Sequence, residues 1–126
     1  VILLLDTNAL LWWLTDDKRL SAAATLAISD PNNEIRASVV SLYELINKAR
    51  LGKFPLAIAL ELEHHVAAAE IPWLPLEAGD MRLGASLDWD HKDPWDRLIV
   101  AQAIARSCKV VTSDRAFADA MADIIW

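Results

Sequence analysis

Asp6, Glu44, Asp96 and Asp114 each fall where a buried strand gives way to a helix, the edge at which an open α/β sheet gathers its ligands. Asp6 follows the apolar run 1–5, Glu44 follows the β-branched stretch 34–40, Asp96 sits in Asp93-Pro94-Trp95-Asp96-Arg97, and Asp114 follows 109–112. Carboxylates brought together repel one another and lose hydration, so a fold that collects them needs a compensating cation. The hard ions suited to oxygen donors are Mg²⁺ and Mn²⁺. A divalent cation held in this way points to phosphodiester chemistry.

Each acid also has a plain structural reading, because a carboxylate near a helix N-terminus is favoured by about 0.3–1 kcal/mol. Ser41 with Glu44, and Asp93 with Asp96, have the spacing of a capping box. Asp6 is harder to explain so, since an acid placed directly after five apolar residues meets desolvation unless a cation or N–H donors receive it. Asp114 follows its strand in the same way. Thr7 and Asn8 beside the first acid, and Thr112 and Ser113 before the last, supply groups able to orient a carboxylate or a water, or to serve ordinary turns and caps.

The elements that must position these groups alternate between strand and helix. Residues 1–5 are apolar throughout, without the alternation of a solvent-facing strand, which implies a buried strand of a parallel sheet. Thr7 and Ser21 can cap two crossover helices before the turn Asp30-Pro31-Asn32-Asn33. A second strand is expected over 34–40, followed by a helix that runs to Gly52 and carries Glu44 in its first turn or two. Pro55 opens a longer helix through Val66, 71–76 is a short strand interrupted by prolines, and 77–87 is helical. Asp93 caps a helix with Pro94 at its first position and Asp96 in its first turn. A strand over 109–112, a short helix over 115–121 and an edge strand over 123–126 complete the pattern. The expectation is one domain over residues 1–126, α/β in class, with an open parallel sheet flanked by helices on both faces.

Composition narrows the function classes. The 126 residues are 55% hydrophobic with no low-complexity tract, which excludes a disordered chain. The longest apolar runs are far below the ~20 residues needed to span a bilayer, so no membrane partner is expected. Residues 1–5 lack the features of a secretion signal, and the expected address is the cytoplasm. Cys108 is the only cysteine, which leaves no intramolecular disulfide. A net charge of −6 argues against coating nucleic acid by bulk attraction. Basic groups nevertheless sit beside the acids: Lys48, Arg50 and Lys53 after Glu44, Lys92 and Arg97 around Asp96, and Arg115 next to Asp114. Arg97 and Arg115 are candidates, by adjacency, for phosphate contacts or for settling the acidic site before metal arrives, against the alternative of solvated helix ends.

Four segments together resemble the VapC toxins of the PIN-domain family. They are Asp6-Thr7-Asn8-Ala9-Leu10-Leu11-Trp12-Trp13-Leu14, Ser41-Leu42-Tyr43-Glu44-Leu45, Asp93-Pro94-Trp95-Asp96-Arg97 with 98–103 after it, and Val111-Thr112-Ser113-Asp114-Arg115-Ala116-Phe117. The resemblance spans nearly the whole chain, and the Asp-Pro-aromatic-Asp-Arg block is its most diagnostic part. It implies a PIN-like sheet and a Mg²⁺- or Mn²⁺-dependent endoribonuclease of a type II toxin-antitoxin pair. It also implies a homodimer inhibited by a small VapB-like antitoxin. Asp6, Glu44, Asp96 and Asp114 match the family's acidic positions. Asp93 is an extra acid, read as a helix cap or as a group behind the metal ligands. Position 8 departs from relatives that carry His before Ala-Leu-Leu-Trp, since this chain has Asn8.

The mechanism expected is in-line attack on an RNA phosphate by a water that the cation activates, leaving a 5′-phosphate and a 3′-hydroxyl. A histidine-based ribonuclease fits poorly: His64 and His65 fall in an amphipathic helix and His91 stands alone in a loop. A dehalogenase-like phosphatase needs a second acid where Asn8 stands. A noncatalytic PIN-fold domain that binds a partner peptide is the alternative from another class. Trp12 and Trp13 point about 100° apart on one helix, so one of them is a candidate for a dimer or antitoxin contact and the other for the core.

Overall fold

The computed structural model describes residues 1–120 and 123–126. Among these residues, five parallel strands lie in the order β3-β2-β1-β4-β5. They are β1 (Ile2–Leu5), β2 (Glu34–Ser38), β3 (Trp73–Leu74), β4 (Lys109–Val111) and β5 (Ile124–Ile125). The helices are α1 (Thr7–Leu14), α2 (Ala22–Ser29), α3 (Val39–Arg50), α4 (Leu56–Leu60), α5 (Leu62–Ala68), α6 (Ala78–Ser86), α7 (Pro94–Ala105) and α8 (Phe117–Ala120). The central strand β1 pairs with β2 on one side and β4 on the other, Leu5 lying opposite both Ala37 and Val111. The chain turns from one side of β1 to the other here, so a crevice opens at the carboxyl ends of β1 and β4.

The pleat explains why the first strand shows no alternation. Leu3 and Leu5 face a cluster with Leu10, Ala24, Leu45, Leu62 and Val66, whereas Leu4 faces the opposite cluster with Val40, Ile99, Val100, Val110 and Phe117. All three leucines are fully buried, because helices cover both faces of the sheet. Cys108 is buried in the second cluster, as a free thiol.

Differences from the sequence expectation have local causes. The second strand stops at Ser38 because its side chain caps α3, accepting the Val40 N–H, so that Val39 and Val40 begin the helix. Glu44 therefore lies past the first turn, and no Ser41–Glu44 capping box forms. The helix expected from Pro55 to Val66 breaks at Glu61, whose backbone (φ −100°, ψ 2°) leaves the α region and bonds back to Ile58 in a tighter turn. The strand over 71–76 is reduced to Trp73–Leu74 between its two prolines. The late helix begins at Phe117 rather than 115, because the Asp114 side chain holds a turn over 114–116. Its expected end, Met121, lies outside the described residues. Gly84 allows α6 and α7 to approach closely: a Cβ there would stand 3.1 Å from the Leu98 side chain and 3.4 Å from the Arg97 carbonyl.

Candidate metal centre

Asp6 leaves the end of β1 and caps α1, accepting the Ala9 N–H at 2.7 Å. It is only 7% exposed. Burial raises its pKa from 3.8 to about 6. The hydrogen-bonding Thr112 hydroxyl and the Ala9 N–H pull it back, and the charges of Asp96 and Glu44 push it further up. Asp96, in the first turn of α7, is likewise raised to about 6. Burial is the main cause there, His91 opposes it, and Asp93 and Glu44 add to it. Asp96 and Glu44 are close enough for their charges to act on Asp6, and Glu44 for its charge to act on Asp96, so the three carboxylates, carried by separate elements, face one crevice.

Glu44 is held by neighbours on both sides. Thr7 donates to Glu44 Oε1 at 2.9 Å, and having only one proton it accepts from Ser41 Oγ at 2.8 Å. Lys48 Nζ pairs with Glu44 Oε2 one helical turn on. Asp114 stands close to Asp96: donor atoms of His91, Asp96 and Asp114 all lie within 4.8 Å of one another. Thr112 lies near both halves, since its hydroxyl lowers the Asp6 pKa and accepts the Asp114 N–H at 3.0 Å. Asp96 thus lies beside His91 and Asp114 and within electrostatic reach of Asp6 and Glu44.

The supporting residues divide clearly. Thr7 and Thr112 are buried and orient carboxylates, whereas Asn8 and Ser113 are exposed. Asp93 is a helix cap, its Oδ1 accepting the N–H groups of Trp95 and Asp96. Asp96 does not return the bond expected of a capping box. Its Oδ2 lies 2.7 Å from His91 Nε2 instead. The reading of Arg97 as a phosphate contact is corrected: its guanidinium donates to the carbonyls of Gly84, Leu87, Trp89 and His91 at 2.7–2.9 Å. Those bonds take four of its five N–H groups in bracing α6 and the loop before α7. Arg115 and Lys92 remain exposed.

His91 and Ser41 are the residues that sequence reasoning misplaced. His91 stands two positions before the cap of α7, and only the loop's return over the helix N-terminus brings it to Asp96. Ser41 has the spacing of a cap, but α3 begins three residues earlier than that reading requires. Gln102, fully buried one face along α7, donates to the Leu74 and Pro75 carbonyls and accepts from Ser38 Oγ, which ties the helix of Asp96 to the start of the helix of Glu44. Trp12 and Trp13 lie well away at the other end of α1, partly buried beside a cleft of about 550 Å³ lined also by Asp16, Asp17 and His65. Trp12 packs against Trp126 and beneath Arg19.

The donor set fits a hard divalent cation: oxygen-rich, acidic, and electrostatically unfavourable without a positive partner. Lys48 supplies that partner in part. The fold and site define an α/β domain with a carboxylate cluster at its strand ends. A family model described as PIN domain matches residues 3–122. Ribonuclease VapC22 of Mycobacterium tuberculosis is 34% identical over 117 residues, covering 89% of this chain and 86% of that protein. The chain belongs to the PIN-domain family. Among solved structures, VapBC2 from Rickettsia felis bound to a DNA fragment from its promoter superposes with a TM-score of 0.72 at 19% identity, covering 98% of this chain and 96% of that one. VapBC-1 from nontypeable Haemophilus influenzae gives 0.67 at 16% identity, covering 98% and 95%.

Proposed function

We propose that this protein is a metal-dependent endoribonuclease of the VapC type, the toxin of a type II toxin-antitoxin pair, acting in the cytoplasm. The observation that carries the reading is the convergence of Asp6, Glu44 and Asp96, with pKa values of about 6 for Asp6 and Asp96, in a protein similar to a ribonuclease. Asp6, Glu44, Asp96 and Asp114 would hold Mg²⁺ or Mn²⁺. When bound, the cation would neutralise charge on the phosphoryl oxygens and lower the pKa of a water. Around it the chain's own groups do defined work. Thr7 and Ser41 fix the Glu44 carboxylate, Thr112 aligns Asp6 with the Asp114 turn, and Arg97 holds the loop that shapes one wall. Because the nucleophile would be a water activated by the cation rather than the ribose 2′-hydroxyl, hydrolysis should leave a 5′-phosphate and a 3′-hydroxyl.

Purified protein freed of any antitoxin should degrade structured RNA with Mg²⁺ or Mn²⁺, stop with chelator, and lose the activity in Asp6→Asn. Equal degradation by wild type and variant, or 2′,3′-cyclic phosphate ends, would show that the site is wrongly assigned. The partners we infer are a second copy of this chain and a VapB-like antitoxin. Two features support them: the VapBC complexes among the structural relatives, and the exposed apolar side chains Tyr43, Ile46, Leu56, Ile58 and Leu60 on α3 and α4. Light scattering on the isolated chain should give twice its 14.0 kDa mass.

A further inference from the structure

His91 is placed with more care than a loop histidine requires. Its ring stacks on Trp89 at 4.4 Å with an interplanar angle of 12° and meets Phe117 edge-on at 6.3 Å. Trp89 is itself nearly buried and donates from Nε1 to the Ala116 carbonyl at 3.1 Å, two residues after Asp114. The Arg97 guanidinium grips the carbonyls of both Trp89 and His91. Stacking, the indole anchor and the guanidinium together leave the imidazole little freedom except to present Nε2 to Asp96 and Asp114.

We propose that His91 is a nitrogen donor to the cation of this centre, so that the site selects transition ions such as Mn²⁺ over Mg²⁺. The inference rests on the reading above, that Asp6, Glu44, Asp96 and Asp114 hold a divalent cation, and adds to it a donor of different chemistry. Two donors at right angles on an ion with bonds of ~2.1 Å lie about 3 Å apart. The 2.7 Å from His91 Nε2 to Asp96 Oδ2 and the 4.8 Å limit across all three residues need only small side-chain rotations to meet that spacing. Imidazole contributes little to Mg²⁺, which prefers oxygen and holds its waters, but binds first-row transition ions well. A carboxylate-only centre would discriminate weakly between the two. A centre with one imidazole discriminates through that residue.

The test is Mn²⁺ titration of the whole protein followed by electron spin echo spectroscopy of the bound ion, where a directly bound imidazole gives nitrogen modulation. Wild type should bind Mn²⁺ at least ~10-fold more tightly than Mg²⁺ and show that modulation. Protein labelled with ¹⁵N-histidine should shift it to the ¹⁵N pattern without any substitution. His91→Phe, which keeps the ring stack on Trp89, should remove the modulation and bring Mn²⁺ and Mg²⁺ affinities within about threefold of each other. Mn²⁺ bound without nitrogen modulation, or modulation unchanged in His91→Phe, overturns the role of His91 and leaves the carboxylate site standing. No Mn²⁺ binding in wild type overturns both.

Discussion

Replacing Asp6 by Asn should make the metal-free protein more stable, not less. The carboxylate is almost wholly buried, and its pKa rises from 3.8 to about 6. At about 1.4 kcal/mol per pH unit, keeping it ionised at neutral pH costs the fold about 3 kcal/mol. The sign follows from proton counting: between pH 3.8 and 6 the folded state holds the proton more tightly than the unfolded chain, so stability falls as pH rises through this window and stays low above it. Asn keeps an oxygen for the Ala9 N–H and carries no charge, but its amide is an imperfect partner for the Thr112 hydroxyl. A net gain of about 2 kcal/mol is expected at pH 7.5, equivalent to ~6–10 °C in Tm for a chain of this size. Urea and thermal unfolding with chelator present, at pH 7.5 and 4.5, measure it. The gap between variant and wild type should be wide at pH 7.5 and nearly closed at pH 4.5. Equal stability at pH 7.5, or a gap independent of pH, would refute the view that Asp6 is held ionised against its surroundings.

Three further substitutions probe the supporting structure. Thr7→Val leaves the buried Glu44 oxygen and the Ser41 hydroxyl short of a partner and should cost about 1–3 kcal/mol in denaturant unfolding; no loss would mean that Glu44 finds another donor. Arg97→Gln removes most of the bonds to four carbonyls, so limited proteolysis should cut the loop over 87–92 faster, by tenfold or more for each ~1.4 kcal/mol of local stability lost. Lys48→Met removes a half-exposed ion pair, which should change stability by less than about 1 kcal/mol. Because Lys48 occupies a Glu44 oxygen that a cation would need, the same variant should bind Mn²⁺ more tightly by calorimetry. Weaker binding would place Lys48 among the groups that assemble the site.

Much of the fold was legible because its strongest signals are local. The unbroken apolar run before Asp6 marks a strand covered on both faces, and Asp93-Pro94 marks a helix start, as the Asp93 cap bonds bear out. What sequence could not show depends on where neighbouring elements begin. Ser38 rather than Ser41 caps α3, and this one-turn change converts Ser41 from a cap into a support for Thr7 and Glu44. Arg97 looked free beside an acid, yet the carbonyls of Gly84 in α6 and of Leu87, Trp89 and His91 in the loop after it take four of its five N–H groups. His91 gave no periodicity signal at all. Its place is set by stacking on Trp89 and by that same loop, both tertiary effects.

The central claim is that carboxylates from separate elements share one divalent cation. A crystal of the protein soaked in Mn²⁺ and measured for anomalous scattering tests it most directly. The predicted result is a peak within coordination distance of Asp96 and of at least one of Asp6, Glu44 and Asp114, displacing Lys48 or His91 from their present hydrogen bonds. A map with no peak in that crevice, at Mn²⁺ concentrations that support RNA cleavage, would contradict the account.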